Sequence, residues 1–166
     1  MIPRFGEPRV AGRRYRRRRG VYAVLLSGDA VLLTHQARPV PEVQLPGGGV
    51  DAGEAPLRAL HREVREETGW SIAPLRRVGA FRRFTYMPEY DLWAEKLCEI
   101  WLARPLRRLG PPAEPEHSAL WLPVEAALRE LGNDGDRHFL HRIAGAGAGR
   151  GAGAAPRPAR RAHRSR

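Results

Sequence analysis

Gly48-Gly49-Val50-Asp51-Ala52-Gly53-Glu54, followed seven residues later by Arg62-Glu63-Val64-Arg65-Glu66-Glu67-Thr68-Gly69-Trp70, decides how this chain is read. From about Ala55 to Thr68 the apolar positions recur with a helical period. Leu57, Leu60, Val64 and His61 share one face. Gly69 is placed to stop the helix, because glycine tolerates the left-handed backbone that ends one. Glu63, Glu66 and Glu67 stand at i, i+3 and i+4. At 3.6 residues per turn they fall within an arc of roughly 100°. Ala59 lies in that arc one turn earlier and leaves its approach open.

Three carboxylates this close repel one another. Like charges at i,i+4 destabilise a helix by about 0.2–0.5 kcal/mol per pair. In a cleft the repulsion grows and one carboxyl titrates upward. Arg62 and Arg65 offset part of it, and a hard divalent cation fits better. Mg²⁺ favours carboxylate oxygens, keeps several waters and often bridges to phosphate. The glycines ahead of the helix let backbone groups approach a ligand closely. Loop, helix and carboxylates together point to metal-assisted chemistry on a phosphate compound.

The same residues resemble a known signature. The Nudix hydrolases carry G-x5-E-x7-R-E-U-x-E-E-x-G-U, with U a bulky apolar residue. Gly48, Glu54, Arg62, Glu63, Val64, Glu66, Glu67, Gly69 and Trp70 fill its fixed positions at the right spacing. At ordinary residue frequencies, a chance match in one chain is on the order of one in a million. The flanks agree. An apolar hairpin leads in, Leu45-Pro46-Gly47-Gly48 precedes the helix, and Glu116 through Trp121-Leu122-Pro123 leads into a late helix. The resemblance extends over about residues 20–143.

It implies an α+β fold, a Nudix-type α/β/α sandwich with a mixed β-sheet. It implies hydrolysis of a nucleoside diphosphate linked to another moiety, by water attack on phosphorus, with Mg²⁺ or alternatively Mn²⁺ as cofactor. By position, Glu63, Glu66 and Glu67 resemble metal ligands and the Gly47 carbonyl a backbone ligand. Glu63 is the first choice for general base, with Arg62 orienting it. Other members use a later loop glutamate, for which Glu116 is the first candidate here and Glu114 the next. Gly48, Glu54 and Gly69 read as structural members of the motif. Tyr86, sixteen residues beyond Trp70, sits near the offset of a tyrosine in the dinucleoside-polyphosphate branch. Arg82 is a candidate phosphate contact on an outward strand face, and Arg82 and Tyr86 are the substrate-binding candidates. The alternatives are a dinucleoside-polyphosphate or RNA 5′-end pyrophosphohydrolase, or a non-catalytic nucleotide-binding Nudix module.

Outward from the motif, Gly20–Leu26, the turn at Ser27-Gly28-Asp29 and Ala30–Leu33 read as a β-hairpin. Val43–Leu45 suits a short strand. Ser71–Tyr86 has strand-like patches that Pro74 and Gly79 should break. Leu92–Ala103 is β-rich, with Cys98 as a small buried hydrophobe. Pro105–Pro115 reads as a loop, Ser118–Leu122 as a strand, and Val124–Leu131 and Asp136–Ile143 as helices.

The 166 residues hold 29 Lys+Arg against 18 Asp+Glu, a formal net charge of +11. The excess sits at the ends. Residues 1–20 carry eight arginines and one acid, and residues 144–166 six arginines and no acid. The middle, 21–143, is left at −2. Like-charge repulsion among Arg13–Arg19 predicts a disordered tail over 1–19. The Ala/Gly/Arg composition predicts another over 144–166, because it cannot bury enough surface to offset ordering entropy. These tails are the route by which nucleic acid could be a partner beside the nucleotide-type small molecule. One cysteine excludes an intramolecular disulfide. No apolar run approaches the ~20 residues of a membrane span. Val21–Leu26 is too short for a signal-peptide core. The expected location is the cytoplasm.

Overall fold

The computed structural model describes residues 1–151. Its elements in chain order are β1 (Arg4–Phe5), β2 (Arg16–Ser27), β3 (Ala30–Gln36), β4 (Glu42–Gln44), β5 (Gly47–Gly49), α1 (Pro56–Thr68), β6 (Trp70–Met87), a 3₁₀ turn (Pro88–Tyr90), β7 (Leu92–Arg108), β8 (His117–Pro123), α2 (Val124–Glu130) and α3 (Asp134–Gly151). The strands form one mixed sheet in the order β1-β6-β7-β2-β3-β4, with β5 added beside β2 and β8 beside β3. β2 pairs parallel with β7, and β1 parallel with β6; the other ladders are antiparallel.

The unbroken apolar run of β2 means that both its faces are covered. Successive side chains point to opposite faces. Val21, Ala23 and Leu25 therefore meet Ala59, Leu60 and Val64 of α1. Tyr22 and Val24 meet Ala127 of α2 and Phe139, Leu140 and Ile143 of α3. This is the expected α/β/α sandwich. Cys98 is buried in the second layer, and burial pushes its thiol up to about 11.

Several expectations are corrected. Arg16–Arg19 are ordered, as the first rungs of the ladder to Ala94–Leu97. The repulsion among them is offset by acids some eighty positions away: Arg17 lies 3.8 Å from Glu95 and Arg19 2.9 Å from Glu99. Upstream, Phe5 packs edge-on against Phe81 with centroids 5.7 Å apart. Within the span expected to be a disordered tail, 1–19, Arg4–Phe5 and Arg16–Arg19 are thus strands of the sheet. At the other end α3 continues to Gly151, since alanine sustains the helix that the glycines weaken. The remainder of the expected C-terminal tail, 152–166, lies outside the described residues.

β6 is one strand despite Pro74 and Gly79. Register shifts at Pro74/Arg76 and Arg77/Gly79 absorb both residues as bulges. β7 likewise runs through Pro105 to Arg108, in what was expected to be loop. Leu57 is 40% exposed, whereas Ala59, Leu60, Val64, Glu67 and Thr68 are buried. Glu67 is seven residues from Leu60, a rotation of only roughly 20° on the helical wheel. The inward face of α1 therefore includes a carboxylate.

Candidate active site

The site is built where β5 meets α1. Gly47 has φ 146°, a backbone conformation side chains rarely adopt. A Cβ there would sit 2.1 Å from the Val21 carbonyl oxygen. A Cβ on Gly48 would lie 2.4 Å from Glu63 Oε2. Glycine here lets the chain run directly against the carboxylates of α1. Gly47 donates its backbone N–H to Glu67 Oε2 at 3.0 Å. The helix ends at Gly69 with φ 76°, as expected, and its N–H donates to the Arg65 carbonyl.

Arg62 holds the acids in place. Its Nε and one terminal nitrogen donate to the two oxygens of Glu54, both at 2.9 Å. The other terminal nitrogen donates to Glu63 at 2.7 Å and to Glu66 at 3.2 Å. A further bond of 3.0 Å reaches the Gly49 carbonyl. Glu54 also accepts the Asp51 N–H, at 3.1 Å. The Arg62 hydrogen bonds, with that N–H, hold the Glu54 carboxyl down at about 2. Glu63 is pushed the other way by burial, against the pull of Arg62. Glu67, almost fully buried, is raised well above the usual carboxylate range by desolvation.

The loop after β7 closes over this cluster. Its Ala113 and Glu114 N–H groups donate to the Glu66 carbonyl at 2.7 and 3.1 Å. One ligand atom from each of Glu63, Glu66 and Glu114 lies within 4.8 Å of the other two. The same holds for Glu67, Glu114 and His117. His117 Nδ1 lies 3.5 Å from Glu67 and 2.9 Å from Thr34 Oγ1, and Nε2 lies 3.3 Å from Glu114. Burial lowers the His117 pKa, so the neutral ring is favoured. His117 is absent from the sequence expectations because no second histidine or cysteine stands at a ligand spacing from it.

Four carboxylates with one arginine among them fit a hard cation. Glu63, Glu66, Glu67 and Glu114 could supply oxygens to it, and oxygen donors suit Mg²⁺ or Mn²⁺.

Glu116 is not in this cluster. Arg38 grips it through both terminal oxygens, Nε at 2.9 Å, and that pairing lowers its pKa. Glu114, the second candidate, is the loop acid that lies beside Glu63 and Glu66, where the two N–H bonds to the Glu66 carbonyl hold its end of the loop. Arg82 and Tyr86 also stand apart from the glutamates. Arg82 lies 3.7 Å from Glu95, and its backbone N–H donates to the Pro3 carbonyl. The Tyr86 hydroxyl donates to Asp91, and its ring lies 5.2 Å from that of Trp93 at the far end of the β6–β7 hairpin.

A mixed sheet between one glutamate-bearing helix and a helix pair, with a glycine strand set against the glutamates, defines the class of this protein. A family model for the NUDIX domain matches residues 16–143, and the chain belongs to that family. It is 38% identical over 80 residues to an RNA pyrophosphohydrolase of Cereibacter sphaeroides, a match covering 47% of this chain and 48% of the relative. It is 34% identical over 114 residues to an 8-oxo-(d)GTP phosphatase of Mycolicibacterium smegmatis, covering 68% of this chain and 33% of the relative. The matches thus span about half or less of those relatives' length. Among solved structures, a NUDIX hydrolase from Nitrosomonas europaea superposes with a TM-score of 0.63 at 20% identity, covering 80% of this chain and 90% of that one. The ORF135 protein of E. coli gives 0.60 at 22% identity, covering 83% and 96%. These two likenesses concern the fold.

Proposed function

We propose that the chain is a divalent-metal-dependent pyrophosphohydrolase acting on a nucleoside diphosphate linked to a further group. The observation that carries this is that Glu63 and Glu67 lie against the Gly47–Gly48 backbone while Glu66 and Glu114 complete the acidic groupings beside them. The names of its relatives, an RNA pyrophosphohydrolase and an 8-oxo-(d)GTP phosphatase, support a nucleotide-type substrate.

Water attacks phosphorus, the bridging P–O bond breaks, and the leaving phosphate keeps the electron pair. The proton lost by the water goes to a carboxylate. Glu63 suits that role: burial raises its pKa, making it a stronger proton acceptor, and Arg62 fixes its orientation at 2.7 Å. Glu63, Glu66, Glu67 and Glu114 would hold the cation, with the Gly47 carbonyl as a backbone ligand. A cation held there would supply charge neutralisation at the phosphates and a more acidic water. Glu54 acts through Arg62 and is a positioning residue. His117, hydrogen-bonding distance from Thr34 and close to Glu114, fixes the loop carboxylate. No helix among the described residues is long and apolar enough to cross a membrane, and a cytoplasmic site of action fits a nucleotide substrate.

The test is a substrate panel. Purified chain with Mg²⁺ should release phosphate-bearing products from nucleoside di- and triphosphate derivatives, and chelation should abolish turnover. Glu66→Gln should lower kcat by about 10²–10³, the equivalent of several kcal/mol of lost charge stabilisation. Tight ligand binding without turnover across the panel would overturn the hydrolase reading in favour of a nucleotide-binding module.

A further inference from the structure

The first residues of β2 form a free sheet edge. Arg16–Arg18 pair with β7 on one side, but β5 joins the other side only from Gly20 and β3 only from Leu25. Alternation puts Arg17 and Arg19 on one face, where Glu95 and Glu99 neutralise them. Arg16 and Arg18 project on the opposite face. Among the described residues, neither they nor Arg13 and Arg14 have a carboxylate within 4.0 Å. This edge therefore keeps a row of uncompensated guanidinium groups.

Aromatic rings are interleaved with that row. The Arg18 guanidinium lies 5.0 Å from the centroid of Tyr90, which is 56% exposed. Arg13 lies 3.8 Å over the Trp93 ring. Beside Trp93 a hollow of about 440 Å³ is lined by Arg14, Arg16, Asp91, Leu92 and Trp93. Its one acid is engaged by the Tyr86 hydroxyl. The row leads into the site: the Arg19 carbonyl accepts the Val50 N–H at 3.0 Å, and the next residue, Gly20, pairs with Gly49.

We propose that this edge is a docking track for single-stranded RNA, whose 5′ end it delivers to the carboxylate cluster. Cations spaced along an extended strand match a phosphodiester backbone. The exposed Tyr90 ring among them suits an unstacked base, which a duplex does not offer. The choice of RNA rests on the reading of the site as a nucleotide pyrophosphohydrolase, since RNA is the polymer whose 5′ end retains the phosphates of a nucleoside triphosphate. An edge charged only to resist pairing with another sheet would need no aromatic partners.

The experiment uses the full chain and a 3′-fluorescein-labelled 12-nucleotide RNA with a 5′-hydroxyl. Anisotropy is read across a salt series. That RNA has no anhydride to hydrolyse, so binding is scored independently of turnover. The triple variant Arg14→Ala/Arg16→Ala/Arg18→Ala should raise Kd at least ~10-fold and flatten the log–log salt slope by about 2, at ~0.7 per phosphate contact. The corresponding triple lysine variant should keep the slope. Tyr90→Ala should weaken binding at least ~5-fold with the slope unchanged. Unchanged affinity and slope in the folded triple alanine variant would overturn the track. So would duplex RNA binding as tightly as the single strand. Tighter binding of single-stranded DNA of the same sequence would overturn the assignment to RNA. Intact RNA binding without hydrolysis of any panel substrate would defeat the hydrolase reading and leave the surface standing.

Discussion

Glu67 accepts the Gly47 backbone N–H at 3.0 Å, joining the last turn of α1 to the glycine strand twenty residues earlier. One carboxylate thus serves two ends: it satisfies a buried donor and lends charge to the cluster. The two are separable. Glu67→Gln keeps an oxygen acceptor and removes the charge, so the fold should stay near wild-type stability while Mn²⁺ affinity and turnover fall. Glu67→Ala removes both, leaving a buried N–H unmet at a cost of about 1–3 kcal/mol. Thermal melts and calorimetric metal titration check this, and equal stability of the two variants would remove the structural half of the claim.

Arg62 binds Glu54 through two parallel bonds and still reaches Glu63, Glu66 and the Gly49 carbonyl. Lysine offers a point charge rather than a planar fork. Arg62→Lys should therefore fail to restore what Arg62→Ala loses. Partners of this outer kind are worth about 10–100-fold in metal affinity or activity. In both variants kcat should fall further than KM rises, because Arg62 orients a carboxylate rather than holding substrate. A lysine variant with wild-type kcat would count against the fork geometry.

Glu114 and Glu116 make a direct comparison. Glu114→Gln removes a carboxylate from both acidic groupings and should lower kcat by about 10²-fold or more. Glu116→Gln breaks only an exposed pair with Arg38, and such pairs contribute about 0–1 kcal/mol. Its activity should stay within about threefold of wild type. Steady-state rates with one nucleotide substrate suffice, and the reverse ranking would return the loop acid to Glu116.

What the sequence revealed and what it hid divide along the range of the interaction. Glu63, Glu66 and Glu67 share an arc because helical spacing puts them there, and Gly69 stops the helix through its own backbone. Both are local, and both were legible. The order in Arg16–Arg19 was not, because Glu95 and Glu99 reach them only through a parallel ladder between distant segments. Nor was the placing of Glu114, rather than Glu116, beside Glu63 and Glu66. It turns on which loop residues donate to the Glu66 carbonyl, a matter of loop closure and not of spacing. His117 was hidden for the same reason. Its partners Thr34 and Glu67 come from β3 and α1. Leu57 shows the opposite error: periodicity put it on the core face, and the helix instead turns Glu67 inward.

Asp136 links pH to the stability of the site's foundation. It is buried at the start of α3, and its carboxylate accepts the Leu45 N–H at 2.9 Å, two residues before Gly47. Its own N–H is taken by Asn133 at 2.8 Å. Burial pushes the carboxyl up from 3.8 to about 6, with Glu42 adding to the rise and Arg83 opposing it. A pKa higher in the folded than in the unfolded chain means that folding favours the protonated form. The stabilisation is complete below about 4 and is lost as pH rises through about 6. The shift corresponds to ~3 kcal/mol as an upper figure. Other buried groups titrate too, Glu63 and Glu67 in the same sense and His117 in the opposite one. The isolating measurement is therefore a difference. Asp136→Asn retains an oxygen for Leu45 and never ionises. Its stability relative to wild type, from denaturant midpoints, should increase between pH 4 and pH 8. A difference that stays constant across that range would show that Asp136 ionises alike in the folded and unfolded chains and is not held protonated by burial.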